Sequence, residues 1–151
     1  MDFNKIGDFP LNTNWGMIYQ GGAVDQAINT LPGPLVVFTM DAGELDESYI
    51  DHVRQVAIAE VYIGIDDSPT ATLSDAELVA HAHCVAHYLE AEFNVYIHCA
   101  AGVSRASYLD CAVHMLVKGL DFDSALAYVR KYRPVANPNS GFTDHLRKIR
   151  F

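Results

Sequence analysis

The sequence predicts an α/β fold with a central, mostly parallel sheet of about four to five strands flanked by helices, and three observations carry the prediction. Short β-rich runs alternate with segments of helical spacing along the chain, the pattern of strand-helix-strand units. Leu35 to Met40 is continuously apolar, as a strand buried on both faces reads. Val95 to His98 is β-forming and runs through a short glycine-containing loop into a helical pattern beginning at Ala106.

In chain order, Asn14 to Gly22 reads as a turn followed by a short strand, and Ala23 to Thr30 as a short helix closed by Leu31-Pro32-Gly33-Pro34. Asp41 to Gln55 is acidic and loosely helical around Leu45, Tyr49, Ile50 and Val53. The next strand lies within Val56 to Ile65, centred on Val61 to Ile65, and Asp66-Asp67-Ser68-Pro69 turns it into a loop. Ser74 to Glu92 is the best-marked helix: Ser74-Asp75-Ala76-Glu77 is a capping box, and Leu78, Ala82, Val85, Ala86 and Leu89 form the buried stripe. After the strand at Val95, a helix extends to about Lys118 with Gly119 as its C-cap residue. Asp121 or Asp123 caps the next helix, which ends near Tyr132 ahead of Pro134, and a last helix covers Phe142 to Arg150. Trp15, Tyr19, Phe38 and Tyr62 are expected in the core, with Cys84 and Cys111.

The loop after His98 is where chemistry concentrates. The amides of Ala100, Ala101, Gly102, Val103, Ser104 and Arg105 can curl around an anion, since none is proline and Gly102 tolerates the positive φ of a tight nest. Cys99 stands at the base of that nest, and Arg105 offers a planar fork to two phosphate oxygens. A cysteine attacks as its thiolate. A helix end contributes at most ~2 kcal/mol to holding such a charge, so the converging amides and Arg105 are needed as well.

His98-Cys99-x-x-Gly102-x-x-Arg105 resembles the signature of the cysteine-dependent protein phosphatases. HCAAGVSRA and the later stretch Arg130 to Phe142 are more closely similar to the dual-specificity branch, and Met17 to Gly21 to its opening strand. The resemblance spans most of the chain. It implies a protein tyrosine phosphatase-like fold, with residues 1–151 a single dual-specificity phosphatase-like catalytic domain. It also implies hydrolysis of phosphotyrosine and phosphoserine/phosphothreonine esters through a cysteinyl-phosphate on Cys99, with Arg105 and the loop amides binding the phosphoryl oxygens. His98 would order the loop.

The leaving oxygen needs a proton from a carboxyl on a facing loop, which Asp66 or Asp67 could supply; alignment with the family favours Asp67, ahead of Ser68-Pro69. Asn139 matches a family asparagine near the loop, and a helix N-cap is an equal reading of it. One departure stands out: where the family has Ser or Thr after the arginine, this chain has Ala106. That predicts slow phosphoenzyme hydrolysis and makes a phosphate-binding pseudophosphatase with little turnover the alternative. A sulfur-transfer or arsenate-reducing enzyme would instead need Cys84 or Cys111 as a resolving thiol. The apolar interior of Ala100, Ala101 and Val103 suits a single phosphomonoester on protein rather than a polyphosphate.

Composition bounds the rest. At 151 residues, half of them hydrophobic, one domain with a sizeable core is expected. Nothing resembles a leader, a membrane span or a lipidation motif, and three unpatterned cysteines fit a reducing interior, so a cytoplasmic protein is expected. A net charge of −9 argues against nucleic acid and anionic membrane as partners. Residues 1–94 carry fifteen acidic and two basic side chains, and residues 95–151 four acidic and eight basic, so the half with the loop is the positive one. Arg130, Lys131 and Arg133 then either complement a helix C-terminus or steer substrate. His83 and His87, four apart with His81 and Cys84 close by, have metal-like spacing but lack a third dedicated ligand; a solvated face, no metal and no cofactor are expected.

Overall fold

The computed structural model describes residues 2–7 and 15–151. The chain runs β1 (Phe3–Lys5), β2 (Ile18–Gly21), α1 (Asp25–Thr30), β3 (Leu35–Asp41), α2 (Glu47–Val56), β4 (Ala59–Gly64), α3 (Asp75–Glu90), β5 (Asn94–His98), α4 (Arg105–Lys118), α5 (Phe122–Tyr132) and α6 (Ser140–Lys148). The strands form one five-stranded sheet in the order β1-β2-β5-β3-β4, parallel except for the antiparallel edge pair β1-β2. The fold class is the one the alternation of elements implies. Strand β1, too short to stand out in the sequence, adds the antiparallel edge, and the turn read at Asn14 lies outside the described residues.

Period-two alternation divides the sheet between two cores. Val36, Phe38, Met40, Val95 and Ile97 face the larger one, with α3, α4, α5 and α6. Leu35, Val37 and Tyr96 face the smaller, against Ala27 and Ile28 of α1 and Tyr49 and Val53 of α2. All seven residues of β3 are buried, which is why this strand reads as an unbroken apolar run. Helix α4 is buried along Arg105 to Met115, its polar Arg105, Ser107, Asp110 and His114 included, because α3, α5, α6 and the sheet surround it.

Local signals set the boundaries. The Ser74 capping box opens α3 in both directions, Gly119 at φ 65° closes α4, and Asp121 rather than Asp123 caps α5. Ala86 is half-buried rather than core. The helix expected across Asp41 to Gln55 begins only at Glu47, because Asp41 ends β3 and Asp46 caps α2 by accepting the Ser48 amide at 3.1 Å. Tyr62 departs from its core assignment: β4 is the edge strand, and the ring is 42% exposed with its hydroxyl turned back to Asp41. No described helix is long and apolar enough to cross a membrane.

Candidate active site

The cup lies at the C-terminal end of β5, a central strand, so its base is set by the most buried part of the sheet. Gly102 adopts φ +71°, and a Cβ there would fall 2.2 Å from the Gly21 carbonyl carbon, so both conformation and space require glycine. Four successive carbonyls of the loop are tied down from outside. Ala100 O accepts from the Ala23 amide at 3.0 Å, and Ala101 O from Arg133 Nη2 at 3.2 Å. Gly102 O accepts from Arg133 Nε at 2.8 Å and Gln20 Nε2 at 3.2 Å. Val103 O accepts from the Asn137 amide at 2.8 Å and Ser107 Oγ at 2.6 Å. In a planar trans peptide the N–H points opposite its C=O, so anchoring these carbonyls outward turns the amides of Ala101 to Ser104 inward. The nest is built from its back.

Cys99, at the start of this loop, is 3% exposed. Arg105 is the first residue of α4, and both of its contacts fall on Nη1: it donates to Ile65 O at 3.1 Å and pairs with Glu44 Oε1 at 2.5 Å. Nε and Nη2 carry no partner among the described residues, leaving the bidentate edge of the guanidinium open.

His98 is fully buried, stacked on Tyr96 and met edge-on by Tyr49. Burial, opposed by weaker contacts with the Cys99 backbone and Asp41, pushes its pKa down to about 4, so the ring is neutral near pH 7. Nδ1 faces the Cys99 carbonyl at 3.2 Å and therefore carries the proton; Nε2, 2.9 Å from Thr39 Oγ1, accepts. A neutral ring with both nitrogens engaged orients the loop and is no base.

Asp67 is exposed on the loop between β4 and α3, and its Oδ1 accepts from Asn139 Nδ2 at 3.0 Å. Asp66 Oδ1 accepts its neighbour's amide at 2.9 Å, the behaviour of a turn former. Asn139 fills both roles that the sequence left open. It caps α6 by accepting the Phe142 amide at 3.0 Å, and its own amide donates to Ser104 Oγ at 2.9 Å, so one residue joins the cup to the Asp67 loop. The two loops meet closely there: a Cβ on Gly141 would lie 1.8 Å from Pro69 O.

Ala106 is fully buried. Ser107 Oγ is taken up by Val103 O and by Gln20 Nε2 at 2.7 Å, and Ser104 Oγ by Asn139. The serines on either side thus serve the back of the cup.

Sequence reasoning missed Arg133, Gln20 and Glu44. Arg133, the C-cap residue of α5, is drawn inward: it is 2% exposed and grips two loop carbonyls and Asn4 Oδ1. A polar residue inside an apolar strand, Gln20, was a readable signal; Glu44, in an acidic stretch, gave none. His83 and His87 are exposed, and among the described residues no cluster of three or more His, Cys, Asp or Glu side chains could hold a metal.

Comparison with known proteins places this geometry. The family model of the dual specificity phosphatase catalytic domain matches residues 18–150. The chain is 30% identical over 133 residues to human dual specificity protein phosphatase 15, covering 79% of this chain and 44% of that protein. It is 38% identical over 87 residues to zebrafish dual specificity protein phosphatase 22-B, covering 58% and 47%. The chain thus spans less than half the length of these curated relatives. Among solved structures, it superposes with TM-score 0.79 and 20% identity on human tyrosine phosphatase-like serine/threonine/tyrosine-interacting protein, covering 97% of this chain and 93% of that one. A mouse putative dual specificity phosphatase, crystallised with zinc tungstate, gives 0.77 at 20% identity, covering 97% and 85%. At that identity these two likenesses speak for the fold. The family match, covering most of the chain, identifies it as a member of the dual specificity phosphatase catalytic domain family.

Proposed function

We propose that residues 1–151 form a single catalytic domain that hydrolyses phosphomonoesters on phosphotyrosine, phosphoserine and phosphothreonine of protein substrates, in a reducing intracellular setting. The observation that carries the reading is the pairing of a buried cysteine with an open guanidinium edge beneath four outward-tied carbonyls. That is an oxyanion site with a nucleophile at its base.

In the first step the Cys99 thiolate attacks phosphorus, the S–P bond forms and the P–O bond to the leaving group breaks. Arg105 and the loop amides carry the charge on the three equatorial oxygens. Asp67 gives its proton to the departing oxygen; with Oδ1 taken by Asn139, Oδ2 is the oxygen free to do so. In the second step water yields a proton to the Asp67 carboxylate and its oxygen attacks phosphorus. The S–P bond breaks, and thiolate and inorganic phosphate result. No metal or organic cofactor is called for.

A second reading, a phosphate-binding pseudophosphatase, draws on Ala106, which leaves the departing thiolate without a hydroxyl at that position. Turnover of an aryl phosphate at pH 6 by wild type and Cys99→Ser separates the two. The enzyme reading expects turnover that Cys99→Ser abolishes, with vanadate as a competitive inhibitor. Vanadate binding without turnover supports the pseudophosphatase.

A further inference from the structure

The loop between β3 and α2, residues 42–46, reaches Arg105 from the far edge of the sheet. Asp41, the last residue of β3, is fully buried, and its Oδ1 accepts the amides of Glu44 and Leu45, each at 3.2 Å. Its Oδ2 accepts from the hydroxyl of Tyr62, on the edge strand β4, at 2.7 Å. Burial alone would raise the Asp41 carboxyl; contacts with Tyr62, Glu44, Gly43 and Leu45 outweigh it and hold the group below its usual range. The Asp41 hydrogen bond in turn raises the Tyr62 phenol, which stays a donor. Glu44 is fixed at both carboxylate oxygens, Oε2 accepting the Ala42 amide at 2.9 Å and Oε1 pairing with Arg105 Nη1 at 2.5 Å.

The guanidinium is planar, so fixing Nη1 settles where Nε and Nη2 point. Ile65 O alone leaves the plane free to swing about one hydrogen bond, and Glu44 supplies the second point. We propose that Tyr62, Asp41 and Glu44 form a positioning relay, running from the exposed edge of the sheet, that sets the plane of Arg105 for bidentate phosphoryl binding. The proposal rests on the phosphatase reading of the cup. Glu44 is the member that touches Arg105; Asp41 and Tyr62 act through it.

Vanadate affinity, kcat and KM for an aryl phosphate, and the melting temperature test it in Glu44→Ala, Glu44→Gln, Glu44→Asp and Tyr62→Phe. A misplaced binding group costs up to about 100-fold, so Glu44→Ala should lose about 10- to 100-fold in kcat/KM and about tenfold in vanadate affinity. Glu44→Asp and Glu44→Gln, which keep an acceptor, should recover part of both. Tyr62→Phe, which leaves Glu44 in place, should lose a few-fold with both readouts moving together. Glu44 variants that lower only the melting temperature, with kinetics and vanadate affinity at wild-type values, overturn the relay. Tighter vanadate binding in Glu44→Gln overturns it too, since the carboxylate would then only repel the anion. An active wild type with indifferent variants sinks the relay alone. A wild type that neither turns over nor binds vanadate sinks the phosphatase reading and the relay with it.

Discussion

The cup at residues 99–105 and the loop at residues 66–74 supply the two halves of the proposed reaction and are built in opposite ways. In the cup, Cys99, Gly102, Ser104 and Arg105 are buried and four consecutive carbonyls are held by partners from β2, α4, the C-cap residue of α5 and neighbouring loops. In the other loop, Asp66, Asp67, Pro69 and Thr70 are exposed. Its internal bonds are local, such as the Asp67 amide to Asp66 Oδ1 and the Ala71 amide to Ser68 O. Its ties to the rest of the site are Asn139 Nδ2 on Asp67 and the contact of Gly141 with Pro69. Anion binding needs dipoles already oriented before the charge arrives, which buried hydrogen bonds provide. Proton delivery needs a group exchanging with water, which an exposed loop provides. Damage to the cup should therefore fall on every substrate alike, and damage to the loop should depend on the leaving group.

The sharpest way to expose that difference is Asp67→Asn. Asn retains the acceptor for Asn139 but has no carboxyl proton to give. A general acid is worth roughly 10²- to 10⁴-fold, so kcat/KM, which reports the first step, should fall by about that much on phosphoserine peptides. An activated aryl phosphate, whose leaving group needs no proton, should lose about tenfold or less. Equal losses on both substrates would remove Asp67 as the acid.

Next in size is a pH effect confined to the cup side. The folded pKa of His98, about 4, lies below its ordinary value of about 6.5, so the unfolded chain takes up the proton first. Stability from this residue is complete above pH 6.5 and is lost as pH falls toward 4. The full shift is worth about 3 kcal/mol, order of magnitude. Urea unfolding across that window should show wild type losing stability relative to His98→Gln as the solution is acidified. Parallel profiles would mean that the buried ring is not what makes the cup acid-labile.

The cup was the more legible half because its constraints are local. A strand end, a glycine, a cysteine and an arginine within eight positions identify a nest without any tertiary knowledge. So were the capping box at Ser74 and the buried β3, whose signals are periodicity and capping. What could not be read were partners distant in sequence. Arg133 lies about thirty residues beyond the carbonyls it grips, amid other basic residues from which nothing local sets it apart. Glu44 sat in an acidic, loosely helical stretch with nothing local to single it out. Tyr62 looked apolar enough for the core, because nothing local distinguishes an edge strand from a central one. Asp66 and Asp67 are likewise alike in their local sequence, and the bond from Asn139 to Asp67 is a tertiary one.

Arg133→Met asks how much of the cup depends on its back. Methionine keeps the apolar stem but withdraws two donors, leaving Gly102 O with Gln20 Nε2 alone and Ala101 O without its side-chain partner, at a cost of about 1–3 kcal/mol. Vanadate affinity should weaken by about tenfold, and kcat/KM should fall by a similar factor for aryl and alkyl phosphates, unlike the pattern of Asp67→Asn. A leaving-group-dependent loss would mean that Arg133 acts on the acid loop instead.

The smallest effect tests Ala106, which stands where the signature that this loop resembles has Ser or Thr. The Ala106 side chain is buried beside the loop; the Ser107 hydroxyl donates to Val103 O and accepts from Gln20, and Ser104 Oγ accepts the Asn139 amide. Nothing at position 106 can donate to the sulfur as the S–P bond breaks, so the second step should limit turnover, and a rapidly cleaved aryl phosphate should give a burst of phenol close to one per enzyme. Ala106→Ser restores a donor at the cost of burying one hydroxyl. One hydrogen bond to a charged group is worth about 1.5–3 kcal/mol, part of which the buried hydroxyl's own desolvation offsets, so a gain of a few-fold in kcat is expected. The burst should shrink while kcat/KM, which reports the first step, stays unchanged. If kcat/KM rises with kcat, the hydroxyl is acting on thiolate attack, and the slow step belongs to the acid loop after all.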